Sequence, residues 1–324
     1  MRLSKTRVRN LAMWVMVCAL CACQRPAEQS GDRIPNVTWT PVEVISPPLP
    51  SAIEVWEGED EDLPLKAWYV RIDLTSDEVD IEVLSSTDSD GRQSSVDFAQ
   101  QSGACIVVNG GYFKVVNDFY SHIGLLISDG KFVHSATPGV FKNDLRYPVM
   151  RSAIGFNSRN EPQIGWVSSK GKSAFIWEAP LDNIPGEPAL VLNKDSETEW
   201  DVVDAIEAGP ALLSKGAAVT TVDEEVFFGT TIPDIHPRTA AGIDADGRLI
   251  LMVVDGRQRN SRGVSLEELG KMMQGVGAVD AINLDGGGSS TLIARDQLLN
   301  LPTGGTFQRE IVSAIGIFCR NDSD

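Results

Sequence analysis

Three apolar stretches of this chain each end in a polar side chain followed by glycine. CIVVN ends at Asn109, before Gly110 and Gly111; LILMVVD ends at Asp255, before Gly256 and Arg257; AVDAINLD ends at Asp285, before Gly286, Gly287, Gly288, Ser289 and Ser290. A carboxylate can act as nucleophile, general base or charge stabiliser, and a carboxamide can donate to a ligand. Glycine removes the side-chain wall, so a ligand can approach the backbone amides. An ordinary turn needs one or two glycines, and each one loses backbone entropy on folding. DGGGSS therefore reads as a functional feature, whereas Asp255-Gly256 reads equally well as a hairpin turn. The stretch lacks both the G-x-G-x-x-G spacing of dinucleotide sites and the Gly-Lys-Ser/Thr end of a P-loop. A glycine nest with two hydroxyls can still hold an anion such as phosphate on the Gly286–Ser290 amides.

Strands must deliver these residues. In AINLD, alternation puts Asn283 and Asp285 on one face and turns Ile282 and Leu284 toward a core. AWYVRIDL, VDIEVLSS, CIVVN, STLIA and EIVSAIGIF have strand character. GLLISDGKFVH and TAAGIDADGRLILMVVDGRQ read as hairpins turned at Asp-Gly. SVDFAQQ, closed by Gly103, predicts a short helix. Ser265 and Glu268 have capping-box spacing, and Leu266, Leu269, Met273 and Val276 follow on one helical face. The segment before Pro64, with its EGEDED run, reads as irregular with a few short strands. The pattern predicts an α+β fold: mixed, mostly antiparallel sheets with a few packed helices in a single catalytic domain.

Five ordered blocks carry a family resemblance: NGGYF at 109–113, EAGPALLSKG at 207–216, HPRTAAGIDADGRLILMVVDGRQ at 236–258, GVSLEELGKMMQGVGAVDAINLDGGGSSTL at 263–292 and QREIVSAIGIF at 308–318. Together they resemble the phosphodiester glycosidase family over about 66–320. The resemblance implies hydrolysis of the bond between a sugar's anomeric carbon and a phosphodiester oxygen. Such a site needs cationic donors for the phosphate and a carboxylate at the oxocarbenium-like centre. The phosphodiester is already a good leaving group, so a strong general acid is less necessary.

On that basis Asp285 is the expected catalytic carboxylate. Arg238 is the expected bidentate phosphate ligand, with Arg257 and Arg309 as further cations. Asn109 can donate to sugar or phosphate, while Gly110 and Gly111 open the backbone beside it. Asn283 shares the face of Asp285. Asp255 would be a second carboxylate if it faces Asp285, and His236 a proton donor or phosphate contact. Glu207 is a further candidate, and Tyr112 either packs with Phe113 or lines a sugar pocket. His122 and His134 lack metal-ligand spacing. No metal and no cofactor is expected, and the expected partner is a carbohydrate phosphodiester.

The N-terminus reads as a leader. Arg2, Lys5, Arg7 and Arg9 precede the apolar LAMWVMVCALCA, too short for a comfortable membrane span. Leu20-Cys21-Ala22-Cys23 resembles a lipobox, giving a lipoprotein signal peptide at 1–22, lipidation at Cys23, a tether over 23–40 and the domain over 41–324; a plain signal peptide is the alternative. The expected address is the cell envelope, with attachment to the membrane through the lipid. In a Gram-negative cell, Gln24 fits the outer membrane, facing the periplasm. Cys105 and Cys319 either pair or stay as buried thiols. The net charge of −17 excludes a nucleic-acid partner. Envelope or exopolysaccharide glycans with sugar-1-phosphate links are the expected substrates. A non-catalytic glycan-binding lipoprotein and a metal-dependent phosphoesterase are the competing readings.

Overall fold

Runs of aliphatic and β-branched residues fold into three antiparallel sheets around one shared core. The computed structural model describes residues 34–190, 197–295, 297–305 and 308–320. The expected leader and Cys23 lie outside them. The first sheet has eight strands, in the order Thr38–Pro41, Ile53–Asp60, Leu65–Ile72, Leu249–Val254, Arg238–Asp244, Ala278–Asn283, Ala211–Ser214 and Ala217–Ala218. The second has seven, in the order Thr198–Glu199, Ser173–Trp177, Pro162–Lys170, Arg151–Phe156, Asp204–Glu207, Leu126–Ser128 and Lys131–His134. The third has five, in the order Gln297–Leu298, Leu292–Ala294, Ile106–Asn109, Ser313–Cys319 and Val79–Ser85. Val70 and Leu251 from the first, Ile154 and Ile206 from the second, and Val83 and Val108 from the third meet in the common core.

The predicted helices form where their caps stand. Ser94 and Asp97 make a capping box before Ser95–Ser102, and Gly103 closes that helix in the left-handed region at φ 82°. Ser265 and Glu268 do the same for Leu266–Gly275. This second helix buries Leu266, Leu269 and Met273 against Ala240, Ile250 and Met252 on the outer face of the eight-stranded sheet. LILMVV is consequently covered on both faces, which explains its unbroken apolar run.

The mixed sheets expected from the pattern are not found: every ladder among the described residues is antiparallel. Each helix does link two strands that run the same way. In each case one antiparallel strand lies between them: Ser313–Cys319 in the five-stranded sheet and Arg238–Asp244 in the eight-stranded one. The fold is therefore sheet-dominated, with two α helices among the described residues.

Two further expectations shift. The acidic run is not irregular, because Glu57, Glu59 and Asp60 belong to the strand Ile53–Asp60, paired along its whole length with Leu65–Ile72. Strand order also begins inside the expected tether. Thr38–Pro41 pairs with Ile53–Asp60, and the Trp39 ring packs edge-on against Tyr69 at 4.8 Å.

Cys105 and Cys319 form a disulfide, with Cα atoms 5.7 Å apart. It joins the edges of adjacent strands at Ile106–Asn109 and Ser313–Cys319. The link closes a sequence separation of 214 residues, so it restricts the unfolded chain strongly. The Cys105→Ser/Cys319→Ser double variant is expected to lose about 2–5 kcal/mol of stability. Thermal melts of the oxidised protein, the reduced protein and the variant check this, with the last two matching.

Candidate active site

Asp285 follows the strand Ala278–Asn283, and its backbone is held from both sides. Its N–H donates to the Gly110 carbonyl at 3.0 Å, and its own carbonyl accepts from Asn109 Nδ2 at 2.7 Å. The alternation in AINLD holds, since Ile282 and Leu284 are fully buried in the shared core. The Asp285 carboxylate faces a small cleft of about 140 Å3. Tyr112, Thr231, Ile232, His236, Arg238, Arg257, Gly286, Gly287 and Arg309 complete its wall. Burial pushes the carboxyl up to about 6, although the Ser289 hydroxyl, the Arg309 charge and the Gly286 amide each favour its ionised form.

Three guanidiniums, of Arg238, Arg257 and Arg309, line the cleft with this carboxylate, and none has an ion-pair partner among the described residues. Arg238 is buried at the start of its strand. Its Nε donates to the Val264 carbonyl at 3.0 Å and its Nη2 to the carbonyls of Ile232 and Asp234, while Nη1 has no protein acceptor among the described residues. Burial lowers Arg238 to about 10, so it remains cationic at neutral pH. Arg238 thus anchors the loop that brings Thr231, Ile232 and His236 to the cleft.

His236 does not have the free proton expected of it. Its Nε2 lies 2.8 Å from the Thr231 carbonyl, which only accepts, so that nitrogen carries the hydrogen. Its Nδ1 lies 3.1 Å from Arg257 Nη2, which only donates, so that nitrogen is bare. Burial and the charges of Arg238 and Arg257 hold the ring below its ordinary range. The neutral imidazole positions Arg257.

The glycines make room for arginines. A Cβ on Gly287 would stand 3.3 Å from Arg257 Nη2, and one on Gly288 would stand 3.1 Å from Arg309 Nη2. The anion nest expected on the Gly286–Ser290 amides is not there. Gly286 N donates to Asp285 Oδ1, Gly287 N to the Pro237 carbonyl, Ser289 N to Gly286 and Ser290 N to Gly287. Gly287–Ser289 winds into a 3-10 turn that takes up the Ser289 and Ser290 donors, so of the five amides only the Gly288 N–H is left. Ser289 is buried beside Asp285, and Ser290 is buried with no partner for its hydroxyl among the described residues.

Other expected contacts prove to be supports. Asp255 does not face Asp285: its Oδ1 accepts from Asn300 Nδ2 at 2.9 Å and its Oδ2 from the Leu301 amide at 3.3 Å. Its carbonyl accepts from Ser261 Oγ at 2.6 Å, closing the loop on which Arg257 sits at φ 58°. That conformation is uncommon for a residue with a side chain and aims Arg257 back over Gly287. Asn109 is fully buried and accepts from Thr239 Oγ1 at 2.6 Å, so it has nothing left for a ligand. Gly110 and Gly111 open no surface either, because a Cβ on either would strike Ser313, Ile206, Glu207 or His122. Asn283 is buried and donates to Tyr112 Oη at 2.9 Å, fixing the phenol ring that lines the cleft.

Glu207 is buried away from the cleft and accepts from the Leu125 and Thr137 amides at 2.9 and 3.0 Å. Glu225 was not foreseen. It is buried and receives bonds from Ala211 N, Thr221 Oγ1, Trp166 Nε1 and both Ser152 donors, tying the seven-stranded sheet to the eight-stranded one. No local pattern in TVDEEVFFG separates it from Asp223 or Glu224. A larger hollow of about 510 Å3, around Trp177 and Leu181, has no basic residue in its described lining and so does not suit a phosphate. Among the described residues, no three His, Cys, Asp or Glu side chains converge as metal ligands.

Residues 102–318 match the sequence profile of the phosphodiester glycosidase family. The chain belongs to the phosphodiester glycosidase family. It is 29% identical over 209 residues to mouse N-acetylglucosamine-1-phosphodiester alpha-N-acetylglucosaminidase, covering 64% of this chain and 35% of that protein. The cattle protein of the same name is 30% identical over 207 residues, covering 63% of this chain and 34% of that protein. This family member therefore spans about a third of the length of the curated relatives it matches. In fold it is similar to the catalytic domain of zebrafish N-acetylglucosamine-1-phosphodiester alpha-N-acetylglucosaminidase, with a TM-score of 0.55, 22% identity, and coverage of 90% of this chain and 85% of that one. A hypothetical protein from Synechocystis gives a TM-score of 0.58 at 19% identity, covering 85% of this chain and 64% of that one.

Folding raises the Asp285 carboxyl from 3.8 to about 6, so the native state holds this proton more tightly than the unfolded chain does. That contribution is complete below about pH 4 and is lost as pH rises through about 6. Asp285→Asn is therefore expected to be more stable than wild type at pH 7.5, by about 1–3 kcal/mol, with the gap closing at pH 4. Urea unfolding at the two pH values measures it. A variant less stable at pH 7.5 would show instead that the charge supports the fold.

Proposed function

We propose that this chain is a hydrolase that cleaves a sugar-1-phosphodiester between the anomeric carbon and the phosphodiester oxygen. One observation carries the reading: a single carboxylate, Asp285, shares the described lining of one small cleft with three guanidiniums that have no ion-pair partner among the described residues. The cations supply what a phosphodiester demands, neutralising its charge in the substrate and the greater charge on the leaving oxygen. The carboxylate supplies what the anomeric centre demands, as nucleophile or as base for water. With the leaving group stabilised by Arg238, Arg257 and Arg309, a second carboxylate acting as acid is unnecessary, which fits Asp255 being turned away. Tyr112 offers its ring to the sugar.

The names of the mammalian relatives support the same bond type. Envelope or exopolysaccharide glycans are the proposed source of substrate. The Cys105–Cys319 disulfide supports an oxidising, extracytoplasmic compartment, in keeping with the leader-like N-terminus and lipid anchoring at Cys23.

The purified chain is expected to release free sugar from a glycosyl phosphodiester, with kcat/KM falling on the acid side below about pH 6 as Asp285 protonates. Asp285→Asn should lower kcat by about 10²–10⁴-fold. Hydrolysis in oxygen-18 water should place the label on the sugar. Label on the phosphate would mean phosphorus–oxygen cleavage and overturn the proposal. Arg309→Gln should reduce kcat/KM by about tenfold and weaken its salt dependence.

A further inference from the structure

Beyond the Asp285 cleft, Arg151 and Lys142 are among the cations without an ion-pair partner among the described residues, and these two stack on the adjacent rings of Phe227 and Phe228. Arg151 begins the strand Arg151–Phe156, with its guanidinium carbon 4.2 Å from the centre of the Phe227 ring. Its Nε is buried and has no hydrogen-bond acceptor among the described residues. Lys142 ends the strand Val140–Lys142, with its ammonium 4.8 Å from the centre of the Phe228 ring and donating to the Phe228 carbonyl. Burial and the Arg151 charge both push this ammonium below its ordinary range. The carboxylate that feels Arg151, Glu207, is buried beyond ion-pair distance; its Oε2 accepts from the Leu125 and Thr137 amides, and its Oε1 has no hydrogen-bond partner among the described residues.

Arg151 connects to the cleft through aromatic rings, and Lys142 stands beside it on the next residue's ring, Phe228. Phe227 lies 5.8 Å from Tyr112, centre to centre. Laying the two separations end to end, the Arg151 guanidinium is no more than about 10 Å from the Tyr112 ring. The chain has 45 acidic residues against 28 basic ones, so its average surface repels anions. Like charges left unpaired side by side are unfavourable unless something anionic covers them.

We propose that Arg151 and Lys142 form a second anion subsite, which holds the neighbouring phosphodiester of a substrate that repeats sugar and phosphate. The proposal rests on the glycosyl phosphodiester reading of the Asp285 cleft. One phosphate sits among Arg238, Arg257 and Arg309; the sugar crosses Tyr112; the next phosphate meets Arg151 and Lys142. The guanidinium lies on Phe227 and keeps N–H edges for an oxyanion. The substrate class is thus a sugar–phosphate polymer rather than an isolated glycosyl phosphodiester.

The full chain and its Arg151→Gln/Lys142→Gln variant are assayed on a glycosyl phosphodiester with one phosphate and on an oligomer of repeating sugar phosphate. The variant should lose about tenfold in kcat/KM on the oligomer, through KM, and change little on the single-phosphate substrate. Equal losses on both substrates, or no loss on the oligomer, overturn the subsite. Arg151→Lys, which keeps the charge, should recover part of the loss, and a Tm near wild type excludes misfolding. Binding tests the same idea without turnover. Asp285→Asn should bind the oligomer about tenfold more tightly than the single phosphate, and adding Arg151→Gln and Lys142→Gln should erase that preference. Equal affinities before that addition overturn the subsite. If wild type cleaves neither compound while the preference holds, the hydrolase reading falls and the subsite stands.

Discussion

The buried carboxamide of Asn109 joins the two sheets on which the cleft depends. It accepts from Thr239 in the eight-stranded sheet and from the Thr291 amide beside the five-stranded one, and it donates to the Asp285 carbonyl. Three chain segments far apart in sequence are thereby fixed at one point. A buried carboxamide without partners would be costly, and here both ends are bonded. The consequence is positional: Asp285 projects from a backbone clamped at both its N–H and its carbonyl, so its carboxylate enters the cleft from a rigid base. The Cys105–Cys319 disulfide ties the same strand at its other end.

Around that base, polar groups divide between support and chemistry. Asp255 and Glu225 spend both oxygens on backbone amides and fixed side chains, and Glu207 spends its Oε2 on two backbone amides. Asn283 sets Tyr112, and neutral His236 sets Arg257. What remains for a ligand is one carboxylate and a set of unpaired guanidiniums. In a chain of net charge −17, keeping arginines unpaired at one place is a local reversal of the electrostatic field. Such a patch attracts anions that the chain's net negative charge otherwise repels.

Much of the frame was legible in the sequence. Both helices follow their capping boxes, and the hairpins turn at their Asp-Gly pairs, because caps and turns are set by neighbouring residues. The strand endings at Asn109, Asp255 and Asp285 do mark the ends of delivery strands. Their roles were not legible. Asn109 and Asp255 look like Asp285 in local sequence, yet only Asp285 faces the cleft. The partners that decide this lie 176 residues away for Asn109 and 45 for Asp255. The acidic strand Ile53–Asp60 was hidden because Glu54 and Glu59 point to solvent from an outer strand pair, where charge is tolerated, and Asp60 is buried only by accepting from the Asn36 and Leu63 amides.

The sequence by itself determined the elements, the family and the identity of the carboxylate at the end of AINLD, since each is written in contiguous residues. Only the tertiary structure decided what the glycines are for. The Gly286 and Gly287 amides are spent on Asp285 Oδ1 and the Pro237 carbonyl, and the missing side chains of Gly287 and Gly288 admit Arg257 and Arg309, which arrive from separate loops. Whether an N–H is free, or a carboxylate faces its supposed partner, depends on hydrogen bonds closed across sheets. Those bonds exist only once burial has excluded water and fixed the sheets against one another.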